Sequence, residues 1–178
     1  MANTRSSLVN TNPLRKLSKA LIMSKADNRH PRVVEMYKQW TRIYRTFIHN
    51  RFKTNSRGGG DWAPLSARRI KKKGHSRILI ETNTLLNAVS PDIYNAPGSF
   101  ARRQGNGLVV GYGGSIVHPT AAKSGRSTTI EQIAGFHQTG GGRLPQRRII
   151  VGPDKATVEL VTKEIQAAVQ DILKEVRL

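Results

Sequence analysis

The chain has 178 residues, no cysteine, 37% hydrophobic and 6% aromatic residues, and 30 Lys and Arg against 11 Asp and Glu, a net charge of +19. Without cysteine there is no thiol catalysis, thiolate metal site or disulfide, and no apolar run reaches signal-peptide or membrane-spanning length, so no membrane partner is expected. So large a positive excess points to a polyanionic or acidic partner, nucleic acid first; residues 1–130 hold 23 basic and 5 acidic residues, whereas 131–178 hold 7 and 6.

Residues 1–27 are expected to form an arm. They are polar to about residue 11, and then Asn12 and Pro13 open a short basic helix with Leu14, Leu17, Leu21 and Ile22 on one side. Residues 28–178 are expected to form one domain. From Pro31, Val33, Met36, Tyr37, Trp40, Ile43, Tyr44, Phe47 and Ile48 recur at three- and four-residue steps, predicting a long helix that stops near Lys53, ahead of the breaker "TNSRGGGD". After Trp62 and Pro64, Ser66 caps a short basic helix, and "TLLNAV" predicts another.

"GNGLVVGYGGSIV", Gly105 to Val117, predicts two strands joined by a tight turn, and "HPTAAKSGRSTT" predicts a loop. "TIEQIAGFHQ" predicts a helix of a turn or two capped by Thr128 or Thr129, with Glu131 in the first turn, and "RRIIVG" predicts a strand. Asp154 caps a final helix marked by Val158, Val161, Ile165, Ala168, Val169, Ile172, Leu173 and Val176. The expected class is α+β: a small antiparallel sheet flanked by long N- and C-terminal amphipathic helices, each able to cover a sheet face, with long loops.

No constellation of catalytic residues stands out, and no cofactor or metal is expected. Gly105, Gly107 and Gly111 have the punctuation of a dinucleotide loop, but they surround a strand rather than open a helix. Gly140 to Gly142 with Arg143 lack the Gly-Lys-Ser/Thr ending of a phosphate loop and suit a connector. His137, with no second histidine four residues on, suits a helix end or a packing site better than a general base or a ligand. In "ARRIKKKGHSR", Arg68, Arg69, Lys71, Lys72, Lys73 and Arg77 are candidate contacts to DNA phosphates or an acidic partner, as are Arg143, Arg147 and Arg148.

Taken in order, "GGGDWAPLSARRIKKKG", "ILIETNTLLNAV" and "IAGFHQTGGGRLPQRRIIVGPD" resemble the tail-completion or virion-morphogenesis proteins of tailed bacteriophages of the phage Mu kind. The resemblance rests on Trp62, Pro64, Leu65 and Ser66, on the turn of His137, Gln138 and Gly140, and on Pro145 and Arg147, with Asn83 where that family usually has glycine. It implies a structural protein without catalysis that forms a ring, commonly sixfold, at the neck or tail top of the virion. Such a chain assembles in the host cytoplasm. Its implied partners are copies of itself, other neck, connector and tail proteins, and packaged double-stranded DNA in the channel. The alternative is a free-standing basic nucleic-acid-binding protein.

Overall fold

Pro31 fixes φ at the start of helix α1 (Pro31–Ser56), whose apolar stripe buries Val33, Met36, Ile48 and Phe52. This computed structural model describes residues 30–92, 96, 98–104, 107–123, 125–141 and 144–176; the expected arm and its helix after Asn12 lie outside them, as do Gly105 and Arg143. The helix runs three residues past the expected stop because Asn55 and Ser56 are themselves buried. Ser56 Oγ donates to the Lys53 carbonyl at 2.9 Å, and the Ser56 carbonyl accepts from Ile78 N at 2.8 Å.

The middle of the chain is built from short pieces. Ser66 caps α2 (Ala67–Lys73), accepting from Arg69 N, and Gly74 ends it in the left-handed conformation. Helix α3 (Thr84–Ala88) is entered through Asn83 at φ 55°, a left-handed geometry that asparagine tolerates and glycine adopts freely.

The sheet is one antiparallel hairpin, β1 (Phe100–Gln104) with β2 (Gly107–Gly111), in the register Phe100↔Gly111 through Gln104↔Gly107. The first half of the expected hairpin is therefore β2, and its pairing strand lies upstream, in "FARRQ". Residues 112–117 do not continue as a strand: Gly113 turns the chain at φ 76°, where a Cβ would overlap Ile130, and only Val117 makes an isolated bridge, to Thr129. The expected loop after it holds a short helix, α4 (Pro119–Lys123).

Helix α5 (Ile130–Thr139) starts at a capping box in which Thr129 and Gln132 exchange bonds between side chain and backbone. "RRIIVG" pairs with no strand and runs as an irregular extended segment. Helix α6 (Lys155–Val176) is capped by Asp154, whose carboxylate accepts from Thr157 N at 2.8 Å.

The class is α+β, with one long helix on each side of the hairpin in sequence. In space the long helices cover each other rather than two sheet faces. Ala168 and Ile172 of α6 pack on Val33 and Met36 of α1, and Arg32 pairs with Asp171 across the seam. The larger core sits at the other end of α1. There Ile48 and Phe52 meet Trp62, Ile78, Leu85, Val89, Tyr112, Ile130 and Ile149, with the Phe52 and Trp62 rings edge to face at 4.9 Å. Among the described residues no helix is long and apolar enough to cross a membrane.

Because Ile48 is 0% exposed, Ile48→Ala is expected to destabilise the fold by about 2–5 kcal/mol. Leu173→Ala, at a position 39% exposed on α6, should cost under ~1 kcal/mol. Urea unfolding followed by circular dichroism measures both.

Candidate functional site

Three separated stretches of sequence meet at the end of α5. Its last turn carries His137 and Gln138, and Gly140 at φ 70° reverses the chain there; a Cβ would press on Gln146 at 3.2 Å. The returning segment then lies back along the helix end. Arg147 N donates to the His137 carbonyl at 2.7 Å, and Gln146 Nε2 to the Gln138 carbonyl at 3.1 Å.

Gln138 closes the loop with its side chain. Its Oε1 accepts from Ile149 N and Ile150 N, both at 2.9 Å, while Nε2 donates to the Ile150 carbonyl at 2.7 Å. One amide thus replaces the neighbouring strand that "RRIIVG" lacks. From the other side, Trp62 Nε1 donates to the Arg148 carbonyl at 3.0 Å. Arg147 reaches back across the same gap, Nε to the Ala63 carbonyl at 3.0 Å and one terminal nitrogen to that of Pro64 at 3.3 Å.

This geometry corrects one expectation: Arg147 is 5% exposed and its guanidinium is turned inward onto carbonyls, so it is not a surface contact for phosphate. The remaining basic candidates divide by helical period. Arg69 and Lys73, one turn apart on α2, line a cleft, whereas Arg68, Lys71 and Lys72 are exposed outside it. Arg77 and Arg148 are exposed as well, and Arg77 lends its carbonyl to Lys73 Nζ at 2.6 Å. Pro64, Leu65 and Pro145 stand in the cleft wall and Trp62 behind it in the core.

The cleft holds about 830 Å³ between α2, residues 79–82, α5 and residues 144–147. Arg69, Lys73, Arg126 and Arg147 contribute positive charge; Glu81 is the single carboxylate, paired with Arg69 at 2.8 Å. Leu79, Ile133, Phe136 and Leu144 give it an apolar side. Sequence reading missed Arg126, Glu81, Phe136 and Leu144 as members of one site. They come from four segments, and no local spacing joins them.

Burial, and secondly the nearby Arg147 charge, push the His137 imidazole down to about 4. A neutral ring between two arginine-bearing segments has a packing role, and its Nδ1 is buried without a hydrogen-bond partner. Burial also lowers Lys73, against the raising effect of Glu81. Among the described residues no group of three or more His, Asp or Glu is placed to hold a metal ion. Scans of the chain against protein-family models, curated proteins and solved structures return no match.

Gln138→Ala leaves three backbone groups without their partner and is expected to cost about 1.5–3 kcal/mol in urea unfolding. Gln138→Glu keeps the two accepted bonds but sets a carboxylate oxygen against the Ile150 carbonyl in place of the donated bond, and should cost at least as much.

His137 adds a pH dependence. Its folded-state pKa is depressed, so its contribution is whole above the unfolded value of 6.5 and is lost as pH falls toward about 4. In full such a shift is worth about 3 kcal/mol, and the ring's partial exposure reduces this to ~1–2 kcal/mol. Asp61, held low by its hydrogen bond from Arg51, and Asp154, by that from Thr157, titrate below this window. His137→Asn should therefore flatten the decline of melting temperature between pH 6.5 and 4.

Proposed function

We propose that this chain is a structural protein of a tailed-bacteriophage virion, a tail-completion protein that closes into a ring, sixfold by resemblance, around the DNA channel where tail joins head. One observation carries the reading. The Trp-x-Pro-Leu-Ser, His-Gln-x-Gly and Pro-x-Arg elements, up to 86 residues apart in the chain, interlock through Trp62, Gln138 and Arg147. Short motifs that are dispersed in sequence but bonded to one another in space behave as parts of one fold. Their polar groups are engaged with peptide groups, as a scaffold requires and a catalytic centre does not.

Charge supports the same reading. Arg68, Lys71, Lys72, Arg77 and Arg148 are exposed and make no ion pair with a carboxylate among the described residues, a surface suited to phosphates or to acidic neighbours in the assembly. The neck and tail proteins next to such a ring, and the DNA passing through it, are the partners in this proposal. Exposure of the outer face of α2 also favours the second reading, a free-standing nucleic-acid binder.

Native mass spectrometry of the purified chain, and its copy number in purified tailed-virus particles, test the proposal. The expected result is a closed oligomer and about six copies per particle, or a multiple, as ring closure requires. A chain that stays monomeric, is missing from particles, and alone binds duplex DNA with affinity falling steeply as salt rises is the free-standing binder instead.

A further inference from the structure

We propose that the cleft between α2 and α5 is a docking site for a carboxylate-bearing, aliphatic peptide segment of another protein. This holds whether or not the chain closes a ring. Two independent features of the cleft define the occupant, charge and apolar surface, and neither alone would do so.

The charge is one-sided. Arg69, Lys73, Arg126 and Arg147 face a single acid, Glu81, which Arg69 already holds at 2.8 Å. Arg126 is exposed and makes no ion pair among the described residues. Lys73 Nζ is fixed at 2.6 Å from the Arg77 carbonyl, which keeps its ammonium at the wall instead of letting it swing into solvent. Arg147 is turned inward onto the carbonyls of Ala63 and Pro64 and adds positive charge behind the wall without itself contacting the occupant. A cation fixed before binding costs a partner carboxylate less ordering than a free surface lysine does.

The apolar surface sits beside these cations. Phe136 is 51% and Leu144 46% exposed, on two segments that flank the cleft, and Leu79 and Ile133 are half-buried along it. Large exposed apolar side chains around a hollow of about 830 Å³ are what a short peptide covers with its own aliphatic groups. A nucleic-acid backbone satisfies the cations but leaves Phe136 and Leu144 in water, so the apolar rim favours a peptide. The chain's own N-terminal stretch is the wrong sign for the role: residues 1–29 carry six basic residues and one acidic. That sign rules out residues 1–29 as the occupant, and a segment of a different protein is the occupant proposed.

Fluorescence anisotropy with a short fluorescein-labelled peptide alternating aspartate with leucine tests this on the full chain. Comparison peptides replace each leucine by serine or each aspartate by lysine, and a short DNA duplex serves as competitor. The aspartate–leucine peptide should bind about tenfold more tightly than the serine version, and the lysine version should not bind. Arg126→Glu and Leu144→Asp, both at exposed positions, should each weaken it about tenfold, while Arg42→Glu on the exposed side of α1 should change it less than about twofold.

Thermal unfolding coincident with the parent chain verifies each variant, with Arg126→Gln and Leu144→Ser as replacements for any that fails to fold. Equal binding of the leucine and serine peptides overturns the proposal, because charge alone then explains it. So does indifference to both cleft substitutions, or displacement by duplex DNA whose own binding depends on Leu144. Peptide binding can fail in a chain that assembles as a ring, or succeed in one that does not, so this result and the virion reading stand or fall separately.

Discussion

An irregular chain packed against a helix must dispose of its peptide N–H and C=O groups, and in this protein side chains do what a larger sheet would otherwise do. The hairpin pairs only ten residues, yet the segments around Trp62, Val89 and Ile149 are also packed into the core. Their carbonyls are taken up one by one. Arg45 donates to those of Ser90 and Ala88, Tyr44 to Val151, Trp62 to Arg148 and Arg147 to Ala63 and Pro64. Gln138 serves both edges of Ile150. The larger core is therefore held by long polar side chains reaching into loops, Tyr44, Arg45 and Gln138 from helices and Trp62 and Arg147 from other irregular segments.

Arg45 shows how demanding this arrangement is. It is 0% exposed, it sits at 5.2 Å over the Tyr112 ring, and burial lowers its affinity for the proton while raising that of the Tyr112 hydroxyl. A buried guanidinium is tolerated where its donors find acceptors, and the carbonyls of Ala88, at the end of α3, and of Ser90, two residues on, supply them. One terminal nitrogen of the same group is buried without a partner. Position 45 thus joins α1, α3 and the end of β2 through one side chain, and an apolar residue of its size would leave the Ser90 carbonyl without its donor and the Ala88 carbonyl with Ser99 Oγ.

The elements legible in the sequence are those whose signal is local. Helices α1 and α6 announce themselves by apolar period, α2 and α5 by Ser66 and Thr129, and α6 by Asp154, because period and cap need no distant partner. Strands lack that independence. "FARRQ" carries two arginines and no apolar alternation, and it becomes β1 only because "GLVVG" lies opposite. The reverse holds for "RRIIVG", whose β-branched residues favour a strand: Gln138 takes its backbone groups, Ile149 fills the core and no strand arrives to pair. Of the site, Trp62, His137, Gln138, Pro145 and Arg147 were legible as motif residues, while the bonds among them and the inward turn of Arg147 were not. The cleft was invisible because its members come together only when the chain folds.

The same folding decides what the net charge can do. Several acids are spent at short range: Asp171 with Arg32, Asp61 with Arg51 and Glu81 with Arg69. What remains is a positive surface that α2 divides by its period. Arg68, Lys71 and Lys72 are exposed outside the cleft, and Arg69 and Lys73 line a hollow rimmed by Phe136 and Leu144. A uniform polyanion matches the first face and only half of the second; an acidic peptide with aliphatic side chains matches the second and gains little from the first. One seven-residue helix, capped by Ser66 and ended by Gly74, therefore presents two chemistries back to back. On the virion and peptide-docking proposals, its basic run would serve as two half-sites for unlike partners instead of a single patch.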